Sequence, residues 1–312
     1  MSRWPAWAWV VVLAAAVPAA GQQGVPLPLP EDRAAFERVH ERLAEDLENS
    51  AFGVPLVVEA SVDDEVVQGD VYSVLDHPFS RVRDSLVAPE AWCRMLTLHF
   101  NVKSCARDGA VSTGAGVRLR IATARKYYVP PQARTPKTYR LDASHSRPDL
   151  LRVALTADRG PFGVRGMRIA VFAMDAGEGR SFVHLRYRYA PGWLARAATR
   201  AFFGTVGRRK IGFTVVGSDD DGSPVYVRGP RGGVERNAMR YHLAIVAYLD
   251  TLDVAEADRF EARIARWFEL TERHPEQLHE MSREDYLGMK RREREDQVAS
   301  SRAGPVPASR RR

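Results

Sequence analysis

The sequence has few of the residues on which common enzyme and metal sites are built. Only two of its 312 residues are cysteines, and neither has a histidine at the spacing of zinc ligands. His274 and His279 are five positions apart, which separates them by about 140° around a helix. The chain lacks a Gly-x-Ser-x-Gly nucleophile motif, and the glycine-rich residues 229–233 lack the Gly-Lys-Ser/Thr of a phosphate loop. We therefore expect no metal, no cofactor and no catalytic signature.

A basic face for nucleic acids is also missing. The formal net charge is +7, but residues 290–312 alone contain eight basic and three acidic residues, and Arg3 adds one more positive charge. The rest of the chain is therefore almost neutral, so the high isoelectric point reflects the C-terminal residues rather than a binding surface. We expect no nucleic-acid partner.

Long hydrophobic runs are confined to the N-terminus. Arg3 precedes an apolar run over residues 6–17, and small residues and a proline-rich stretch follow. This order predicts a cleavable signal peptide over residues 1–20, cut after Ala19 or Ala20, and a linker over residues 21–30. Because the run is shorter than the roughly 20 residues that span a bilayer, a permanent membrane anchor is disfavoured. The predicted location is periplasmic or secreted.

The two cysteines, Cys93 and Cys105, are predicted to form a disulfide. Their number is even, and an exported protein meets an oxidising compartment. The chain between them passes from a short helix into a strand, and this bend can bring the two together. Two separate buried thiols are the alternative.

Hydrophobic periodicity predicts an α+β protein. Apolar residues recur every three or four positions over residues 31–49 and 255–270, as in amphipathic helices. Alternation with period two predicts antiparallel strands from residue 54 onwards, interrupted by a pair of helices around Pro89. This strand series is expected to close with residues 211–216 and 225–227.

The C-terminal third is predicted to be helical and then disordered. Residues 236–252 are apolar on most of the helix circumference, so the sheet is expected to bury this helix. Residues 255–285 are expected to form a helical extension that docks from outside. Residues 286–312 are strongly charged and are predicted to form a disordered basic tail.

The order of these elements resembles the helix-grip fold of the START-like superfamily, also called SRPBCC proteins. Residues 69–79 (Gly-Asp-Val-Tyr-Ser-Val-Leu-Asp-His-Pro-Phe) resemble its first strand leading into its first helix. Residues 160–171 and 180–185 resemble a later strand hairpin. The resemblance implies a curved antiparallel sheet wrapped around a long C-terminal helix over residues 54–254. The helices over residues 31–53 and 255–285 are additions to that fold.

The resemblance also implies a cavity between the sheet and the long helix that binds a lipid or another hydrophobic small molecule. Strand alternation and helix face supply the candidate lining residues, and His242 is the best candidate among them for a polar contact. They are Leu155, Val171, Leu185, Tyr187, Tyr189, His242, Leu243 and Val246. A close-packed core in a non-catalytic envelope protein is the alternative for the same residues.

An enzymatic alternative uses the same cavity. A cyclase-like or hydrolase-like enzyme could employ His242, His99 or Tyr187 as acid or base. No paired acid and base is evident in the sequence, so binding without catalysis is favoured.

One strand carries polar side chains on the face opposite the expected cavity. His184, Arg186 and Arg188 alternate with the apolar residues of the strand. The favoured interpretation is a solvated outer face. The alternative is that these groups bind the anionic head of a ligand.

Residues 191–210 interrupt the strand series with a helical pattern. The favoured interpretation is a helix that covers the sheet, and the alternative, suggested by its aromatic and basic residues, is a lid that covers the mouth of the cavity and contacts an anionic membrane surface. The candidate residues for this lid are Trp193, Arg196, Arg200, Phe202 and Phe203.

Overall fold

A computed structural model describes residues 29–63, 65–109, 116–160, 163–205 and 207–302. The predicted signal peptide and residues 303–312 lie outside the described residues. Within the described part of the chain, no helix has both the length and the apolar composition needed to cross a membrane.

Eight strands form one curved antiparallel sheet. The strands are β1 (Leu56–Val62), β2 (Val67–Leu75), β3 (Val102–Arg107), β4 (Val117–Thr123), β5 (Thr135–Asp142), β6 (Leu151–Arg159), β7 (Val164–Gly177) and β8 (Arg180–Pro191). Their order in the sheet is β1-β2-β8-β7-β6-β5-β4-β3, so consecutive strands are neighbours except where β2 pairs with β8. A turn of 3₁₀ helix (Pro131–Ala133) precedes β5.

The long helix α6 (Gly229–Asp250) packs against the inner face of this sheet. Helices α3 (Phe79–Leu86) and α4 (Pro89–Leu96) occupy the connection between β2 and β3. Close approach of α6 to β2 depends on Gly69, because a Cβ atom there would lie 3.1 Å from the Val234 carbonyl oxygen and 3.2 Å from Cβ of Ala238. The α+β helix-grip fold expected from the sequence is thus confirmed.

Two N-terminal helices cover the outer face of the sheet. Helix α1 (Arg33–Arg42) begins at Asp32, whose side chain accepts a hydrogen bond from the backbone N–H of Ala35 at 2.7 Å, and α2 (Ala44–Glu48) follows it. Phe36 packs against Phe172 and Phe182 of the sheet, with ring centroids 6.2 and 4.8 Å away. The sheet is therefore buried on both faces along β2, β7 and β8.

Residues 211–227 do not close the main sheet, which corrects the sequence-based expectation. Strands β9 (Ile211–Ser218) and β10 (Pro224–Arg228) pair with each other as a separate two-stranded sheet that packs on α6. Glu235 on α6 accepts hydrogen bonds from the backbone N–H groups of Phe213 and Thr214, at 2.6 and 3.0 Å. Alternation alone predicts a strand but not its partner.

Helix α5 (Trp193–Gly204) connects β8 to this hairpin. It follows β8 directly and packs against α6 and β8. A helix is therefore present where the sequence predicts one.

The expected disordered tail is partly wrong, because residues 283–302 form a helix. After α7 (Arg259–Thr271), which packs on α6, and α8 (Pro275–Leu278), helix α9 (Arg283–Arg302) packs against α7 and β3. Its buried face contains charged as well as apolar side chains, and this mixture hides the helical pattern in the sequence. These buried residues are Tyr286, Leu287, Met289, Lys290 and Glu293.

The predicted disulfide between Cys93 and Cys105 is confirmed. It links α4 to β3, an edge strand of the sheet. The Gln297 side chain of α9 hydrogen-bonds both the backbone N–H and the carbonyl oxygen of Cys105, at 3.2 and 3.1 Å. This edge strand is thus linked to both α4 and α9 at Cys105.

Candidate functional site

Little space is left where α4, α6 and the strands β7 and β8 meet in the interior. A cavity of about 10 Å³ remains there, which is at the lower limit for a single water molecule. It is lined by Trp92, Met95, Leu96, Ile169, Leu185, Tyr241, Ala244 and Ile245. The described conformation is therefore a closed one.

The predicted cavity residues gather around this interior, but only Leu185 lines the cavity itself. Leu155, Val171 and Tyr187 point from the sheet into the same hydrophobic core, and Leu243 lies in that core on α6. The remaining apolar candidates, Tyr189 and Val246, are half-buried and pack against it. Their role in ligand binding stays a prediction.

Four tyrosines meet on the inner face of the sheet. The ring of Tyr187 lies 5.5 Å from that of Tyr189 and 5.4 Å from that of Tyr241 on α6. Tyr139 on β5 is close enough to influence the titration of Tyr187 and Tyr241. We call Tyr139, Tyr187, Tyr189 and Tyr241 the tyrosine cluster. Sequence reasoning found two of them and missed Tyr139 and Tyr241, which come from other elements.

The hydroxyls of the tyrosine cluster have few partners. Among the described residues, the hydroxyls of Tyr187, Tyr189 and Tyr241 have no hydrogen bond, and the Tyr139 hydroxyl contacts only the sulfur of Met167 at 3.5 Å. Burial raises the pKa of Tyr139 to about 12, and burial together with neighbouring phenols raises the pKa of Tyr187. These groups are therefore neutral donors, and the hydroxyls of Tyr187, Tyr189 and Tyr241 are not fully buried, so water can reach them.

His99 adds an imidazole to the edge of this cluster. Its ring stacks on Tyr241, with centroids 5.0 Å apart, and its Nδ1 atom accepts a hydrogen bond from the backbone N–H of Asn101 at 3.1 Å. Burial, and then the charges of Arg240 and Lys290, hold the pKa of His99 well below its ordinary value. The ring is therefore neutral at pH 7.

His242 is buried but does not line the cavity. Its Nδ1 atom has no hydrogen-bond partner among the described residues. Burial lowers the pKa of His242 to about 4. The best sequence-based candidate for a polar contact is therefore a neutral ring embedded in the core.

This burial predicts a pH-dependent stability. Since the pKa of His242 is about 4 in the folded chain and 6.5 ordinarily, the unfolded chain binds a proton first as the pH falls below 6.5. The lowered pKa of His242 should therefore reduce the free energy of unfolding by about 3 kcal/mol when the pH falls from 7 to 4. Urea denaturation at both pH values, for the parent and His242→Leu, measures the difference.

The His242→Leu variant should lose less stability than the parent on acidification. His145, which is exposed, supplies the matched control as His145→Leu. Equal losses in the parent and in His242→Leu would contradict the prediction.

The polar face of β8 is not solvated, which corrects the favoured interpretation of His184 and Arg186. Both are buried, and the carboxylate of Asp70 on β2 accepts hydrogen bonds at 2.6 Å from His184 Nε2 and from Arg186 Nε. The rings of Tyr72 and His184 stack at 4.2 Å under the N-terminal helices. Of the three polar residues, only Arg188, further along the strand, is exposed. The cover from α1 and α2 makes this cluster part of the core.

The lid candidates are only partly described. Phe202 is 41% exposed, and Arg196 is half-buried. The side chains of Trp193, Arg200 and Phe203 lie outside what the structure describes. A membrane-facing lid therefore stays a prediction.

Comparisons with known proteins give likenesses at the level of fold only. No protein-family model matches the chain, and no curated protein matches its sequence. Similar solved structures include human StAR-related lipid transfer protein 5, at 10% identity over 55% of this chain and 91% of that one, with a TM-score of 0.31. The Zhui aromatase/cyclase from Streptomyces sp. R1128 matches at 11% identity over 65% and 94%, with a TM-score of 0.31. At these TM-scores the likenesses carry no conclusion about ligand or activity.

Proposed function

We propose that this protein binds a hydrophobic small molecule in its interior, with a polar atom of that ligand on the tyrosine cluster. The observation that carries the proposal is the set of neutral phenols on the inner face of the sheet, since among the described residues the hydroxyls of Tyr187, Tyr189 and Tyr241 have no hydrogen bond and are open to a ligand or water. A carbonyl or hydroxyl oxygen of the ligand would accept those hydrogen bonds, while its apolar part is surrounded by the core. Ligand sites commonly combine apolar walls with a few converging polar groups.

Binding requires the interior to open. A cavity of about 10 Å³ holds no ligand, so α6 must move away from the sheet or the cover over it must shift. Helix α5 is the element best placed for this, because it starts shortly after Tyr189 of the tyrosine cluster and packs against α6 and β8. In this proposal α5 is the lid of the site.

The neutral fluorescent ketone prodan tests the proposed site, because its carbonyl oxygen accepts hydrogen bonds and its naphthalene ring is apolar. We expect prodan to bind with a blue-shifted emission. The double variant Tyr187→Phe/Tyr241→Phe, which removes two hydroxyls and no ring, should bind prodan about tenfold more weakly. Fluorescence titration of the parent and the variant gives both dissociation constants.

The matched control is Tyr127→Phe, which removes a hydroxyl from a tyrosine that is 58% exposed and lies outside the cluster. Its affinity for prodan should equal that of the parent. Absence of prodan binding, or equal affinities for the parent and the double variant, would contradict the proposed site.

The lid is proposed to contact an anionic membrane surface, in the cell envelope where the predicted signal peptide would deliver the protein. The change Trp193→Ala/Phe202→Ala should weaken binding to phosphatidylglycerol vesicles by about tenfold and leave folding intact. Vesicle co-sedimentation and circular dichroism measure the two effects.

The control is Val216→Ala, which removes an exposed apolar side chain from β9 and should leave vesicle binding unchanged. If the double variant unfolds, α5 is part of the core. If the double variant binds vesicles as the parent does, α5 does not contact the membrane.

A further inference from the structure

A second pocket lies outside the helix grip, between α4, α7 and α9. Its volume is about 290 Å³, close to the lower end of the range of small-molecule sites. Residues of the C-terminal helices α7 and α9 form most of its wall, and the rest comes from α4 with the residues after it, from Lys103 of β3 and from Glu256. We call this space the arginine pocket. It shares no lining residue with the interior cavity.

Positive charge dominates the lining of the arginine pocket. Six basic residues line it, against two acidic ones, Glu256 and Glu293. The basic residues are Arg94, Lys103, Arg259, Arg263, Lys290 and Arg294. An anion would therefore be attracted to this space.

The carboxylate of Glu293 already forms ion pairs with Lys103 and Lys290. Its carboxylate oxygens lie 2.7 Å from Lys103 Nζ and 2.9 Å from Lys290 Nζ, and all three side chains are buried. One carboxylate between two ammonium groups leaves one positive charge uncompensated within this group. The floor of the pocket is therefore cationic.

Arg263 is a nearly buried member of the pocket lining. It is 5% exposed, its Nε atom donates to the Thr251 hydroxyl at 3.1 Å, and its guanidinium lies 4.5 Å from the ring centre of Tyr248. Its Nη2 atom is buried without a hydrogen-bond partner among the described residues. Burial, opposed by Tyr248 and assisted by the charges of Arg94 and Arg259, lowers the pKa of Arg263 to about 10. Arg94 and Arg259 are therefore close enough to Arg263 for their charges to act on it.

We propose that the arginine pocket binds a single-chain amphipathic anion, with its carboxylate or phosphate head on Arg94, Arg259 and Arg263. Apolar side chains beside these arginines provide a surface for the chain of the ligand. Guanidinium groups form strong charge-assisted hydrogen bonds with carboxylate and phosphate oxygens, and the excess of basic residues in the lining favours such a head group. The proposal does not depend on ligand binding in the interior. The apolar side chains that would contact the chain of the ligand are Leu98, Phe260 and Ile264.

Dodecyl phosphate below its micellar concentration is the probe. Isothermal titration calorimetry should show one molecule bound per chain, with inorganic phosphate and dodecanol each at least about tenfold weaker because each lacks half of the interactions. Binding of inorganic phosphate as tightly as dodecyl phosphate would mean a plain phosphate site and overturn the proposal. Equal binding of dodecanol would mean a purely apolar site and overturn it as well, as would the absence of dodecyl phosphate binding.

Variants locate the bound probe. Arg94→Gln/Arg259→Gln should weaken dodecyl phosphate binding by about tenfold or more, whereas Arg283→Gln, an exposed change on α9 outside the pocket, should leave it unchanged. Arg94 is exposed, so Arg94→Gln alone remains informative if the double variant unfolds. If the arginine variants bind as the parent does while Tyr187→Phe/Tyr241→Phe loses the probe, the anion occupies the interior and the proposal is wrong.

Discussion

Replacing Asp70 by asparagine should destabilise the fold by about 3–5 kcal/mol, because it leaves buried polar and charged partners without their acceptor. The Asp70 carboxylate is fully buried and accepts hydrogen bonds from Gln68 at 2.9 Å and from His184 and Arg186 at 2.6 Å each. An asparagine side chain offers one acceptor oxygen and no charge. Urea denaturation at pH 7 measures the loss.

The same carboxylate should make stability depend on acid. Burial acts to raise the pKa of Asp70, but the hydrogen bonds and charges of His184 and Arg186 outweigh it, so the pKa is lowered. The stabilisation is therefore present at neutral pH and is lost as the pH falls through the lowered pKa. Asp158→Asn, an exposed change on β6, is the control. A loss below about 1 kcal/mol for Asp70→Asn would contradict a role in stability.

Replacing Glu280 by glutamine should cost a similar amount, about 3–5 kcal/mol, since three cations share its carboxylate. Lys126 Nζ lies 2.7 Å from one oxygen, Arg240 Nη2 lies 3.1 Å from the other, and Lys210 binds there too. Burial acts to raise the pKa of Glu280, but Arg240 and the two lysines lower it to about 2. Thermal and urea denaturation measure the effect.

The Glu280 carboxylate also links distant parts of the chain, so its replacement should change hydrogen exchange in one of the linked segments. Lys210 lies just before β9, Arg240 is on α6, and Lys126 follows β4. Hydrogen exchange in residues 207–212 should become faster in Glu280→Gln, because the link from this segment to α6 is removed. Glu276→Gln, an exposed change on α8, should alter neither stability nor exchange. Unchanged exchange in Glu280→Gln would show that the segment is held by other contacts.

Much of the fold was predictable from local patterns. Period-two alternation located the strands from β4 to β8, and the apolar circumference of residues 236–252 identified the buried helix α6. The pairing of Cys93 with Cys105 followed from there being only two cysteines. The candidate site was only half predictable, because Tyr139 and Tyr241 join the two tyrosines of β8 from separate elements.

The sequence by itself determined most of the strands and helices, because side-chain periodicity is a local property of the chain, but it did not reveal helix α9. Tertiary structure alone decided that His184 and Arg186 are buried, that Lys290 and Glu293 form the inner face of α9, and that the interior is closed. A buried charged side chain needs partners, and distant residues supply several of them here, Asp70 for His184 and Arg186 and Lys103 for Glu293. Since those partners are far apart in the sequence, only the folded chain brings them together.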